Sequence, residues 1–105
     1  MGRSKYRNVR TEVDGITFDS RAEAKRYQEL KILERVGEIT NLDLQPRYDC
    51  WVNGKKVCTY VADFRYMTDR CQTIEDVKGM KTPVYKLKKK LVEACYPDVK
   101  IMEIR

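Results

Sequence analysis

Residues 57–78 read VCTYVADFRYMTDRCQTIEDVK, and the fold turns on how the two halves of this stretch face each other. Val57 to Tyr66 is rich in β-branched and aromatic residues and carries Asp63, while Gln72 to Lys78 is a second such run carrying Asp76 and Lys78. A turn around Met67 to Cys71 makes the two runs an antiparallel pair of strands. With a two-residue turn at Asp69-Arg70, Asp63 falls directly opposite Asp76, and opposed Cβ atoms lie about 4.5–5.5 Å apart. A four-residue turn keeps that register, whereas an odd-length loop sends the two acids to opposite faces. Strand alternation then puts Lys78 on the Asp76 side and turns Glu75 and Val77 away. Two acids and a lysine on neighbouring strands are the parts needed to hold a hard divalent cation against a phosphodiester and activate a water.

Working outward, Thr11 to Phe18 predicts a small hairpin turning at Asp14-Gly15. Ser20-Arg21-Ala22-Glu23 has capping-box spacing and Gly37 is a stop signal, so a first helix is expected from Ser20 to Val36. A first strand, Ile39 to Val52, is interrupted or bent near Pro46, and Asn53-Gly54 turns it into a second, Lys56 to Tyr66. The third is Gln72 to Lys78. Thr82 as N-cap and Pro83 at the first helical position start a second helix, with Val84, Leu87, Leu91 and Cys95 as its apolar stripe and Tyr96-Pro97 as its end. Val99 to Ile104 is expected as a last strand, giving the order α-β-β-β-α-β after an N-terminal hairpin.

Composition narrows the chemistry. A chain of 105 residues, 42% hydrophobic and 36% charged, supports one domain with one modest core, and a net charge of +6 favours a polyanionic partner such as nucleic acid. No apolar run approaches a membrane span, and the basic arm at residues 1–10 lacks the apolar stretch of a signal peptide, so a cytoplasmic location is expected. The chain has no histidine, which removes histidine nucleases, catalytic triads and histidine metal sites together. Cys50, Cys58, Cys71 and Cys95 never form C-x-x-C. A two-residue turn at Asn53-Gly54 puts Cys50 opposite Val57 and leaves Cys58 out of register, so free thiols are expected.

Glu23 is the third candidate ligand. It lies near the middle of the helical stripe Ala24, Tyr27, Leu30 and Leu33, so its carboxyl faces the sheet, although a plain capping-box partnership with Ser20 explains it too. Acid-x-lysine also occurs at Glu23-Lys25, Glu29-Lys31 and Asp98-Lys100. The first two sit on a helix, where residues two apart diverge, and the last lacks a preceding acid-bearing strand. Only residues 76–78 have the required context.

Glu23 on a first helix, Asp63 ending a strand, Asp76-Val77-Lys78 on the next and a basic helix after it together resemble the PD-(D/E)XK nuclease superfamily. The stretches KYRNVRTEVDGITFDSRAEAKRYQEL, ADFRY, EDVKG and TPVYKLKKKL are similar to a group of small phage- and prophage-encoded members that includes Holliday-junction resolvases. The likeness spans nearly the whole chain; Ala62 stands where the superfamily name implies proline. It implies an α/β, restriction-endonuclease-like αβββαβ core with a mixed central sheet and an N-terminal hairpin, forming one nuclease domain at 11–105 behind the arm at 1–10. In such a site Asp63 and Asp76 bind Mg²⁺ or Mn²⁺, Glu23 helps directly or through water, and Lys78 orients the attacking water and offsets charge on the phosphate.

The expected activity is therefore metal-dependent, structure-selective hydrolysis of DNA, as in a resolvase of phage origin acting in DNA recombination in its bacterial host. A domain this small has room to read shape and backbone but little room to read bases. Lys86, Lys89 and Lys90 are expected to point outward from the second helix and Lys88 to lie at its apolar margin, nearest the site; Lys86, Lys88 and Lys89 are candidate phosphate contacts. The arm, with Arg3, Lys5, Arg7 and Arg10 around Tyr6, is a further candidate DNA contact, Arg7 and Arg10 foremost. Cutting two symmetric strands of a branch requires a homodimer. The other class is a non-catalytic nucleic-acid-binding accessory that kept the fold, against which the intact Asp63, Asp76 and Lys78 argue.

Overall fold

The structure is a computed structural model that describes residues 9–69, 71–77 and 81–104; Lys78 and the arm residues Arg3, Lys5, Tyr6 and Arg7 lie outside the described residues. The N-terminal hairpin forms as the sequence predicts, β1 (Thr11–Val13) pairing with β2 (Ile16–Phe18). Asp14 and Gly15 both take positive φ, the conformation that suits a two-residue hairpin turn. Helix α1 (Arg21–Arg35) begins at Ser20, whose Oγ accepts from the Glu23 backbone N–H at 3.1 Å, and gives way to Gly37 at φ 87°. Ala24, Tyr27 and Leu30 are its buried stripe, and removing Leu30 alone from water contributes about 1.5–3 kcal/mol.

The expected first and second strands exist, but each is broken in two. In place of Ile39 to Val52 stand β3 (Thr40–Leu44) and β4 (Arg47–Val52), and in place of Lys56 to Tyr66 stand β5 (Lys55–Val61) and β6 (Phe64–Thr68). Leu44 pairs with Phe64 and Arg47 with Val61, so the pairing resumes in phase beyond the interruption. The break has a local cause. Gln45 adopts φ 51°, Pro46 lacks an N–H, and at this corner Gln45 donates to the Asp63 carbonyl while Ala62 donates to that of Pro46. One long ribbon is thereby folded at Gln45-Pro46 and Ala62-Asp63, and its outer half, β4–β5, becomes a separate two-stranded sheet.

The central sheet has the order β3-β6-β7-β8, with β7 (Cys71–Val77) antiparallel to β6 and β8 (Val99–Ile104) parallel to β7. Parallel pairing needs a crossover, which α2 (Pro83–Cys95) supplies. The chain is thus a single α/β domain in which the described residues form a mixed four-stranded sheet, two helices and two separate two-stranded sheets. One core packs α1 and the first hairpin on Phe64 and Tyr66; the other packs α2 and β4–β5 on Ile74 and Ile101. Among the described residues no helix is long and apolar enough to cross a membrane.

Two finer expectations are corrected. The register of the outer hairpin shifts between Cys50 and Trp51, leaving Val57 as the extra residue, so Cys50 faces Cys58 and not Val57. All four cysteines are free, and burial, followed by the Cys58 thiol, pushes Cys50 up to about 12. Helix α2 is also rotated from its expected apolar stripe. Its buried residues are Tyr85 and Val92, with Leu91 and Cys95 half-buried, whereas Val84 and Leu87 are 62% and 59% exposed. The Tyr85 ring packs near Tyr60 and its hydroxyl donates to Glu103 at 2.9 Å, which sets the rotation of the helix's first turns.

Candidate active site

Asp63 sits at the folded corner of the ribbon, and the corner is what frees its side chain. Its backbone N–H donates to Glu75 at 3.1 Å, its carbonyl accepts from Gln45, and its Oδ2 accepts from the Val77 N–H at 2.7 Å. The β6–β7 register runs Thr68 opposite Cys71 to Phe64 opposite Glu75, the two-residue-turn register, and the pairing ends there: the Asp63 N–H turns to the Glu75 carbonyl, so Asp63 is not set squarely against Asp76 as the sequence predicts. Asp76 shares the α2 face of β7 with Ile74 and is only 2% exposed. Its Oδ2 accepts from the Tyr60 hydroxyl at the base of the outer hairpin.

Glu23 arrives from the opposite face of the sheet. The N-cap of α1 fixes its backbone, and half-buried Glu23 lies near enough for its charge to act on the Asp63 carboxyl, so Glu23 is more than a capping residue. Repulsion between two neighbouring carboxylates is relieved by a proton or by a cation between them. Burial first, then the nearby Glu23 and Asp76 charges, pushes Asp63 up to about 8 in spite of the Val77 N–H, which pulls it down. Glu23 and Asp63 line a cavity of about 130 Å³ together with Ile16, Phe18, Gln45 and Phe64.

This donor set suits a hard cation. Mg²⁺ is held through one or two carboxylates and keeps several waters, and the Asp63 and Glu23 carboxyls beside a cavity with room for several waters suit that arrangement. Among the described residues no group of three or more Asp, Glu or Cys side chains stands close enough to hold a metal ion, so Glu23, Asp63 and Asp76 do not form a ready three-carboxylate site.

Residues that the sequence reading passed over hold the corner in place. Glu75, adjacent to Asp76 but on the α1 side, is fully buried and receives Arg26 Nε at 2.7 Å and a second guanidinium nitrogen at 2.6 Å. The Tyr66 hydroxyl also donates to Glu75, and burial, followed by that bond, pushes Tyr66 up to about 12. Arg26 follows Glu23 by one helical turn, so an acid inside an apolar strand and an arginine on the sheet-facing margin of a helix were the available signals. Tyr60 had the signal of alternation, since it shares its strand face with Cys58 and Ala62 in the core.

The basic residues distribute unevenly. Lys86 and Arg10 are exposed. Lys88 is half-buried, as its marginal helix position predicts, and donates to the Thr59 carbonyl at 3.3 Å. Lys89 does not point outward: it lies 3.5 Å from Glu103, which also pairs with Lys81 at 2.8 Å. The Glu103 carboxyl is held at about 2, chiefly by Lys81 and then by the Tyr85 hydroxyl.

Comparison with the curated proteins and with the solved structures finds no match to this chain. A family model does match it across residues 3–105, and the chain belongs to that family, described as a protein of unknown function, DUF1064.

Proposed function

We propose that this domain is a metal-dependent DNA endonuclease of the PD-(D/E)XK type, with a restriction-endonuclease-like core and Asp63, Asp76, Glu23 and Lys78 as its catalytic set. The observation that carries the reading is the corner at Asp63, whose half-buried carboxyl feels the charges of Glu23 from α1 and Asp76 from β7. The placement of β3, β6 and β7 of the central sheet between α1 and α2, followed by the parallel β8, supports the same reading, with β4 and β5 as an inserted hairpin.

Asp63, Asp76 and Glu23 would hold Mg²⁺, with Mn²⁺ as a substitute. When bound, the cation lowers the pKa of a water and polarises the phosphate. Tyr60 holds Asp76 in one orientation, and the Val77 N–H does the same for Asp63. Lys78 follows Asp76 by two residues and is assigned the attacking water and the charge that builds on the phosphate. Lys86 and Arg10, both exposed, are phosphate contacts in this scheme.

Branched DNA is the proposed substrate class, as for a Holliday-junction resolvase, because a domain of this size recognises backbone and shape. Symmetric cleavage of a branch needs two such sites and therefore a homodimer. A cleavage panel of linear duplex, single strand, flap and four-way junction in Mg²⁺, Mn²⁺ and EDTA tests the proposal. Metal-dependent nicking that favours the branched substrates supports it. EDTA-resistant cleavage, or none on any substrate, overturns it.

A further inference from the structure

The outer hairpin projects. Every residue from 51 to 57 is exposed, including Trp51 at 53%, Val52 at 46% and Val57 at 51%. Asn53 and Gly54, at φ 51° and 79°, form the turn that stiffens the tip. Burying an indole would stabilise the fold, so a tryptophan left half in water at a rigid tip marks a contact surface. The register shift below the tip sets Trp51 directly across from Lys56, with Lys55 at the next step on the other face of the hairpin. No acid lies between Cys50 and Cys58, and the nearest, Asp49, is engaged by the Thr59 hydroxyl at 2.8 Å. Arg47 adds an exposed cation at the base.

We infer that the tip of the β4–β5 hairpin is a nucleic-acid contact, in which Trp51 stacks on an unpaired or splayed base of branched DNA while Lys55 and Lys56 hold the flanking phosphates. Charge selects this occupant: a tip that places an indole across from one lysine, carries a second on its other face and has no acid between Cys50 and Cys58 complements a polyanion that offers π-faces. Placement gives it a role. Tyr60, at the level of Tyr48, grips Asp76, and Trp51 lies three residues up the strand from Tyr48, roughly 10 Å away. The hairpin that carries Trp51 is thus tied through Tyr60 to the candidate site, so a base seated on Trp51 bears on which phosphate reaches Asp63 and Asp76. The inference rests on the nuclease reading and specifies how that site selects its substrate.

Trp51 is the only tryptophan in the chain, so its fluorescence reports on the tip alone. The whole protein is titrated with a four-way junction and with linear duplex in Ca²⁺ without Mg²⁺, and binding is followed in parallel by gel shift. The junction is expected to quench Trp51 emission strongly and the duplex weakly. Trp51→Ala is expected to weaken junction binding by roughly fivefold or more, and Trp51→Phe to recover most of it, since stacking on one base carries at least that factor. Lys55→Ala with Lys56→Ala should flatten the log-log salt dependence by about 0.9 per lost duplex contact. Junction binding that leaves Trp51 emission unchanged, or Trp51→Ala with wild-type affinity, overturns the inference whether or not Mg²⁺ supports cleavage. A Trp51 change that follows protein concentration without DNA also overturns it, and assigns the tip to a second copy of the chain. Trp51 quenching by junction with no cleavage in Mg²⁺ instead removes the nuclease reading and leaves the contact standing.

Discussion

The Tyr60 hydroxyl donates to Oδ2 of Asp76 across the gap between the outer hairpin and the central sheet. Burial first, and Asp76 second, raises the Tyr60 pKa, so Tyr60 stays protonated and remains a donor over the whole working range. The bond ties the projecting hairpin to an acid of the candidate site. Tyr60→Phe keeps the ring and removes the donor, which should cost about 1.5–3 kcal/mol in urea unfolding, as for a hydrogen bond to a charged group. Cleavage should fall by roughly tenfold or more as Asp76 loses its fixed orientation. Wild-type turnover in that variant would show that the bond does not position Asp76.

Arg26 and Glu75 hold β7 against α1, and Glu75 has no exposure at all. Arg26→Ala leaves a buried carboxylate without its counter-charge and should destabilise the fold by about 3–5 kcal/mol. Replacing the two together, Arg26→Met with Glu75→Leu, should recover most of that loss, since an apolar pair needs no desolvated charge. A double variant no more stable than Arg26→Ala would mean that the Tyr66 contact, and not the ion pair, governs the site.

Glu103 gives the stability a signature in acid. Its folded pKa, about 2, lies below the ordinary glutamate value, so its contribution is fully present above about pH 4.5 and is lost as the pH falls through 2. The difference in stability between wild type and Glu103→Gln should therefore be constant near neutrality and vanish toward pH 2. Thermal unfolding across that range measures it, and a difference that grows toward acid would contradict the Lys81 and Tyr85 pairing.

Much of this was legible in the sequence. The β6–β7 register from Thr68 opposite Cys71 to Phe64 opposite Glu75 follows from the turn the sequence predicts, and Ser20 with Gly37 bounded α1, because turns and caps are decided by a few neighbouring residues. Pro46 marked the bend, but the matching break at Ala62-Asp63 could not be read locally, since it is imposed by the partner strand. The bulge at Val57 was hidden for a related reason: alternation fits either register, and the packing of Cys50 against Cys58 and Cys95 decides. The face of α2 was misread because Val84 and Leu87 have the right period for burial. Tyr85 wins the inward position, as its hydroxyl finds Glu103 and its ring finds Tyr60. The corner itself needed tertiary structure, for Glu23 and Asp76 belong to opposite faces and approach only around Asp63.

The lysines should separate by role. Lys78→Ala is expected to lower single-turnover cleavage by roughly 10²-fold with an unchanged salt slope, as for a group acting on the reacting phosphate. Lys86→Ala should leave the single-turnover rate at saturating protein unchanged and flatten the salt slope by about 0.9. The reverse pattern would exchange the two assignments.

The shared-ion site is tested most directly by single-turnover cleavage of a four-way junction in Mg²⁺ with wild type, Asp63→Asn, Asp76→Asn and the double variant. Groups that hold one cation act as a unit, so each single change should remove most of the activity, roughly 10²-fold or more, and the double should be little worse than either. Losses that multiply, full activity in Asp76→Asn, or wild-type cleavage that survives EDTA would contradict a common metal ion at Asp63 and Asp76.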